Sequence, residues 1–188
     1  MIIFKPGGGH IEATRMARQK RDSDRYFDLA DFGHELANPG ARPGMSMREV
    51  YLAVADALKR QGVRFVLHGA IAMAVHGYSR ATGDIDFLVP EDLPSASAIR
   101  RAMAEIGAAP RRKVPRGARH MQFNLSSWIL DFFRDSDFEG IAGRAKEMEY
   151  RGRWVLVISR NDLVERKLAR GSALDVSDVK RLLGGGEG

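Results

Sequence analysis

The spacing of hydrophobic and polar positions changes several times along the chain, and each change marks an element. Ser46-Met47-Arg48-Glu49 opens a helix, because a serine and a glutamate three apart satisfy each other's free amides. Met47, Val50, Tyr51, Val54 and Leu58 then make one apolar stripe to about Gln61, and Gly62 ends it. Phe65-Val66-Leu67 reads as a short buried strand ending at Gly69, and Ala70 to Val75 as a brief apolar segment closed by His76-Gly77. Asp84 to Val89 alternates as a second strand, and Leu93 to Ala108 has helical spacing with Ile99, Met103 and Ile106 inward. Two strands are predicted between Pro110 and Leu125, around Pro115-Arg116-Gly117. The apolar run Trp128 to Phe133 follows, with Asp131 in its middle.

Further on, Phe138 to Met148 resembles a helix and Trp154 to Ile158 a strand. A helix from Asp162 to Arg170, capped by Ser159 or Asn161, would bury Leu163, Val164 and Leu168. The last helix starts near Asp175, which serves as its cap, with first-turn dipole effects accounting for Asp178 as well. Interspersed strands and helices predict an α/β fold with a mixed β-sheet flanked by helices.

The start of the chain reads differently. Residues 1–44 are taken as an N-terminal arm and linker, partly disordered or docking on a partner. Gly7-Gly8-Gly9 lacks the lysine and hydroxyl of a phosphate-binding P-loop, and the segment from Asn38 to Gly44 is rich in proline and glycine. Residues 45–183 form the expected domain and 184–188 a disordered tail.

Composition narrows the class. With 44% hydrophobic and 29% charged residues, the 188-residue chain suits one globular domain with a proper core. No apolar run is long enough to span a membrane, and the N-terminus lacks a secretory core. Cysteine is absent, which excludes disulfides and thiolate metal sites and fits a reducing cytoplasm. The net charge of +6 favours polyanionic company. The excess is local: between Arg100 and Arg119 stand seven basic residues and one acid, Glu105.

The candidate chemistry lies in the second strand. Alternation points Asp84 and Asp86 the same way, roughly 6.5–7 Å apart, with Ile85 and Phe87 facing a core. Two such acids repel unless a cation sits between them, and a hard divalent ion, Mg²⁺ above all, suits all-oxygen ligands. His68 and His76 have no paired metal-ligand spacing and read as packing or capping residues.

Gly69-Ala70, the run Arg80-Ala81-Thr82-Gly83-Asp84-Ile85-Asp86, and Asp131 inside an apolar strand together resemble the nucleotidyltransferase superfamily that includes polymerase β. The likeness is greater to its small bacterial branch of minimal and abortive-infection toxin-like enzymes, and spans about Val63 to Leu183. It implies a metal-dependent transfer of a nucleoside monophosphate from an NTP to a hydroxyl, in a toxin–antitoxin or phage-defence setting. Asp84, Asp86 and Asp131 would be the catalytic acids and hold Mg²⁺ in a two-ion site. Gly69, Ala70, Arg80, Thr82 and Lys167 would contact the nucleotide. Ala70 departs from the family's glycine or serine, so only its backbone amide is available to a phosphate.

For most of these residues a plainer reading stands beside the functional one. Arg80 contacts phosphate or pairs with a nearby acid, and Lys167, on the same face as Leu163 and Val164, snorkels past the core or points into the site. Arg111, Arg112, Lys113, Arg116 and Arg119 either form a solvated hairpin or track the backbone of an acceptor. That cluster favours an RNA end, such as tRNA, or a protein over a cationic aminoglycoside. Two other readings stay open: a catalytically silent module that binds a partner protein or nucleic acid, and a plain nucleic-acid binder.

Overall fold

The computed structural model describes residues 44–112, 118–150 and 153–184. Expectations for the N-terminal arm, for Lys113, Arg116 and the turn around them, and for 185–188 lie outside the described residues. The described elements run α1 (Met47–Arg60), β1 (Val66–Leu67), α2 (Gly69–Val75), β2 (Asp84–Pro90), α3 (Leu93–Glu105), β3 (Ala109–Pro110), β4 (His120–Leu125), β5 (Trp128–Asp135), α4 (Phe138–Arg144), β6 (Lys146–Tyr150), β7 (Arg153–Val157), α5 (Arg160–Arg170) and α6 (Ala173–Gly184).

A single mixed sheet of seven strands, in the order β3-β4-β5-β2-β1-β7-β6, organises them. β2 lies parallel to β5 and antiparallel to β1, which runs parallel to β7. One side of the central strands is apolar: Ile85, Phe87 and Val89 of β2 align with Leu130 and Phe132 of β5 and with Met121 and Phe123 of β4. Phe87 and Phe132 stack there at 5.0 Å, both buried, and their offset rings add to the burial itself. The buried stripes of α1 and α3 join the same core. The Ser46–Glu49 capping box forms as expected, with Ser46 N donating to Glu49 Oε2 at 2.8 Å. Met45 is fixed beside the β4–β5 turn: its amide donates to Ser126 Oγ, and Trp128 Nε1 donates to its carbonyl. None of the described helices is long and apolar enough to cross a membrane.

Three expectations about elements need correction. The helix after Phe138 ends at Arg144 and does not run to Met148; Ala145 turns extended and Lys146–Tyr150 pairs antiparallel with β7. Lys-Glu-Met-Glu-Tyr carries no helix breaker, so the pairing partner decides its conformation, not its local propensity. Leu168 is 58% exposed, so the buried stripe of α5 is Leu163, Val164 and Lys167. The cap of α6 is Ser172, whose hydroxyl accepts from Asp175 N at 3.1 Å while Asp175 Oδ2 accepts from Ser172 N at 3.2 Å. Asp175 thus keeps a part in the helix start, as the acid that closes the cap, but it and Asp178 are both buried, and helix-end effects do not account for Asp178.

Candidate active site

The face of the sheet opposite the core carries the acids. In the parallel β2–β5 pair, Asp86 lies opposite Asp131 and Asp84 opposite Ile129, so alternation turns all three carboxylates to one side. One oxygen from each lies within 4.8 Å of the others. Strand spacing separates Asp84 from Asp86, and the cross-strand register brings in Asp131 from forty-five residues further on.

Gly69 makes room for this cluster. It opens α2 with φ +65°, in the left-handed region that favours glycine. A Cβ on it would overlap Asp86 Oδ2 and fall 2.6 Å from Asp86 Cγ. The strand before it is tied to the acids as well: His68 N donates to the Asp86 carbonyl at 3.1 Å.

The three acids differ in their surroundings. The Thr82 hydroxyl donates to Asp84 Oδ1 and so orients that acid. His120 Nε2 lies 2.6 Å from Asp131 Oδ1, and the imidazole stacks flat on Phe133 at 4.5 Å. Asp86 is crowded most: burial first, then Asp84, then Asp131 push its carboxyl up to about 7, against the opposing pull of Arg170 and Arg80. A pocket of three carboxylate donors with this much mutual repulsion fits a hard divalent cation, whose ligands are oxygens.

A second charged cluster flanks the first. Lys167 is 2% exposed, and its ammonium donates to Asp178 Oδ2 at 2.6 Å and lies 3.5 Å from Asp175 Oδ1. Lys167 therefore does not snorkel; it ends in a buried ion pair. Arg80 Nε also reaches Asp178 Oδ2, at 3.3 Å, so Arg80 is paired with an acid rather than extended into solvent. Arg170 grips Asp175 through two nitrogens, and that hydrogen bonding holds the Asp175 carboxyl well below the usual range despite burial. Arg166 pairs with Asp135 at the end of β5, on the same face as the acids.

His68 is buried next to this cluster, and neither ring nitrogen has a hydrogen-bond partner. Burial first, then Arg166, Lys167 and Arg170, depress its pKa to about 3. It does not cap α2 with its side chain. His76 does take a structural role, with Nε2 donating to the Ile158 carbonyl at 2.8 Å. Among the predicted acceptor contacts, Arg111, Arg112 and Arg119 are exposed, and Arg119 pairs with Glu91 at 2.9 Å. Sequence reasoning missed His120. The signal was present in the two-residue turn at Ser126-Ser127, which sets Leu125 opposite Trp128 and, counting back, His120 opposite Phe133.

An acid pair on one strand, a third acid on its parallel neighbour and a glycine turn packed beneath them define the nucleotidyltransferase class of site. In sequence and fold the chain resembles the polymerase β-like nucleotidyltransferase superfamily. The sequence profile of the family described as nucleotidyl transferase AbiEii toxin, Type IV TA system, matches residues 52–141, from α1 into α4 and across all three acids.

Solved structures agree in fold. The antibiotic-resistance factor ANT(2'')-Ia superposes with a TM-score of 0.55 at 13% identity, over 72% of this chain and 81% of its own. Lincosamide antibiotic adenylyltransferase LnuA gives 0.52 at 18%, over 74% and 97%. The Thermotoga maritima protein TM1012 gives 0.55 at 19%, over 76% and 97%. No curated protein matches the chain.

Proposed function

We propose that the protein is a divalent-metal-dependent nucleotidyltransferase that moves a nucleoside monophosphate from an NTP to a hydroxyl of an RNA or protein acceptor. The observation that carries this reading is the convergence of Asp84, Asp86 and Asp131, with one oxygen of each within 4.8 Å of the others. These acids would hold Mg²⁺, in a two-ion site, which when bound supplies charge neutralisation for the triphosphate and lowers the barrier to ionising the acceptor hydroxyl.

In the transfer, the acceptor oxygen forms a bond to the α-phosphorus as the bond to the β-phosphate oxygen breaks, and pyrophosphate leaves. Asp131, on the β4 side of the cluster, receives the hydroxyl proton. Gly69 keeps the floor open so that Asp86 stays in place, and Thr82 holds Asp84. The backbone amide of Ala70 remains available to a phosphate oxygen. Arg80, held by Asp178 and through it by Lys167, would contact the triphosphate. The chain's own contribution is positioning and charge, the two demands of phosphoryl chemistry.

Acceptor choice follows charge. Arg111, Arg112 and Arg119 stand exposed near β4, with Lys113 and Arg116 between them in sequence. Such a rim repels a polycationic aminoglycoside and attracts an RNA end or an acidic protein segment. In this reading residues 45–183 are the catalytic domain, and residues 1–44 are an arm that docks a partner protein in a cytoplasmic toxin–antitoxin or phage-defence setting.

Incubation with each labelled NTP and cellular RNA or protein, read by mass spectrometry, tests the proposal. Wild-type protein should add one or more nucleoside monophosphates, and Asp86→Ala should add none while remaining folded; undiminished transfer by Asp86→Ala refutes the assignment. Ala70, which lacks the hydroxyl of the family's serine, favours the second reading of a silent binding module. Calorimetry separates the two, since that module would show no metal-dependent NTP binding.

A further inference from the structure

His120 is the one described imidazole bonded to an acid of the triad, and three features set this contact apart from a chance pairing of exposed side chains. The side chain is 43% exposed, so hydration was open to it and burial does not force the bond. It nonetheless reaches Asp131 Oδ1 at 2.6 Å, a short N–H···O hydrogen bond. Its ring plane lies 2° from parallel to that of Phe133, stacked on it, which fixes the plane in which Nε2 points.

The register explains how this arises. His120 pairs with Phe133 and Gln122 with Asp131, so the imidazole lies on its direct cross-strand neighbour and leans diagonally to the acid. Both residues belong to the acid-bearing face.

An acid in this position needs such a tether. The terminal torsion of an aspartate is broad and nearly two-fold, and three crowded carboxylates repel. An arginine would hold Asp131 but also neutralise it, at the expense of its affinity for a cation. An N–H of an imidazole holds one oxygen and leaves the other for a metal ion. Asp84 is held in a parallel way by the neutral Thr82 hydroxyl.

We propose that His120 is a positioning residue of the transfer centre: locked on Phe133, it clamps Asp131 Oδ1 and keeps that carboxylate turned toward Asp84 and Asp86. The role rests on the nucleotidyltransferase reading above. It acts through Asp131 and makes no contact with the reacting atoms.

The test is Mn²⁺ binding to the full chain, followed by electron paramagnetic resonance, for wild type, His120→Phe, His120→Ala and His120→Gln. Phenylalanine retains the stack without the donor, alanine removes both, and glutamine returns a donor at similar reach. His120→Phe and His120→Ala should each weaken Mn²⁺ binding about 10- to 100-fold, the usual consequence of losing a partner that orients a metal ligand. His120→Gln should stay within about threefold of wild type, and thermal unfolding should show the same fold in all four. Wild-type affinity in His120→Phe, or a His120→Gln as weak as His120→Phe, overturns the positioning role alone. A wild-type protein that takes up no Mn²⁺ overturns both this role and the transferase reading.

Discussion

The Cα of Gly69 lies directly against the carboxylate of Asp86, so close that a side chain of any kind on residue 69 would occupy the space of that acid. The contact joins the turn before α2 to the middle of β2 and leaves the two residues no independent freedom to vary.

Gly69→Ala should therefore disturb both fold and site. The left-handed backbone alone costs an L-residue about 1–2 kcal/mol, and the overlap with Asp86 adds to it. We expect lower urea midpoints and at least a tenfold loss of Mn²⁺ affinity. An alanine variant that binds Mn²⁺ like wild type would show that the Asp86 carboxylate does not depend on this approach.

Asp86 carries the cost of its own crowding. Its carboxyl is raised to about 7, above the value of an unfolded chain. Its favourable state is therefore protonated: stability is fullest at low pH and declines as pH rises through 7. In metal-free buffer at pH 8, Asp86→Asn should be more stable than wild type by roughly 1–3 kcal/mol, with the difference fading toward pH 4. Urea unfolding in EDTA across that range decides it, and a variant less stable at pH 8 contradicts the account.

His68 makes the opposite prediction. Its pKa falls to about 3 in the folded state from 6.5. Stability is complete above 6.5 and is lost as pH falls toward 3, because the unfolded chain takes up a proton that the folded one refuses. The slope should approach about 1.4 kcal/mol per pH unit. His68→Leu also removes two unsatisfied ring nitrogens, each a desolvation penalty, so it should be more stable at pH 5 by about 1–3 kcal/mol. Guanidinium midpoints at pH 5 and pH 7 check this; an unchanged pH slope in the leucine variant argues against it.

Lys167 should be costly to remove. Its ammonium is the buried partner of Asp178 and lies near Asp175. Lys167→Met leaves Asp178 with Arg80 alone, and breaking a buried pair typically costs about 3–5 kcal/mol. Asp178→Asn added to Lys167→Met should restore part of that loss by removing the stranded charge. Equilibrium unfolding of the two variants provides the comparison, and a double variant weaker than the single one would contradict this explanation.

Several features of this arrangement were legible in the chain itself. Asp84 and Asp86 share a face because alternation is a property of any strand, and Asp131 stood out as an acid in an apolar run. The Ser46–Glu49 box is equally local. What escaped depended on partners far away. The segment from Lys146 to Tyr150 has no helix breaker, and only the adjacent β7 makes it a strand. Asp175 and Asp178 matched the helix-end pattern for acids, yet each neutralises a cation from α5, which no spacing rule connects to them.

Sequence alone determined which residues can carry charge, where the helices cap, and the two-residue period that turns Asp84 and Asp86 together, because these depend on chain geometry over a few residues. The tertiary structure decided that Asp131 joins them, that Gly69 lies under Asp86, and that His120 reaches across to the third acid. Those contacts are set by strand register and by the packing of distant segments, and both are fixed only when the whole sheet buries its apolar face at once.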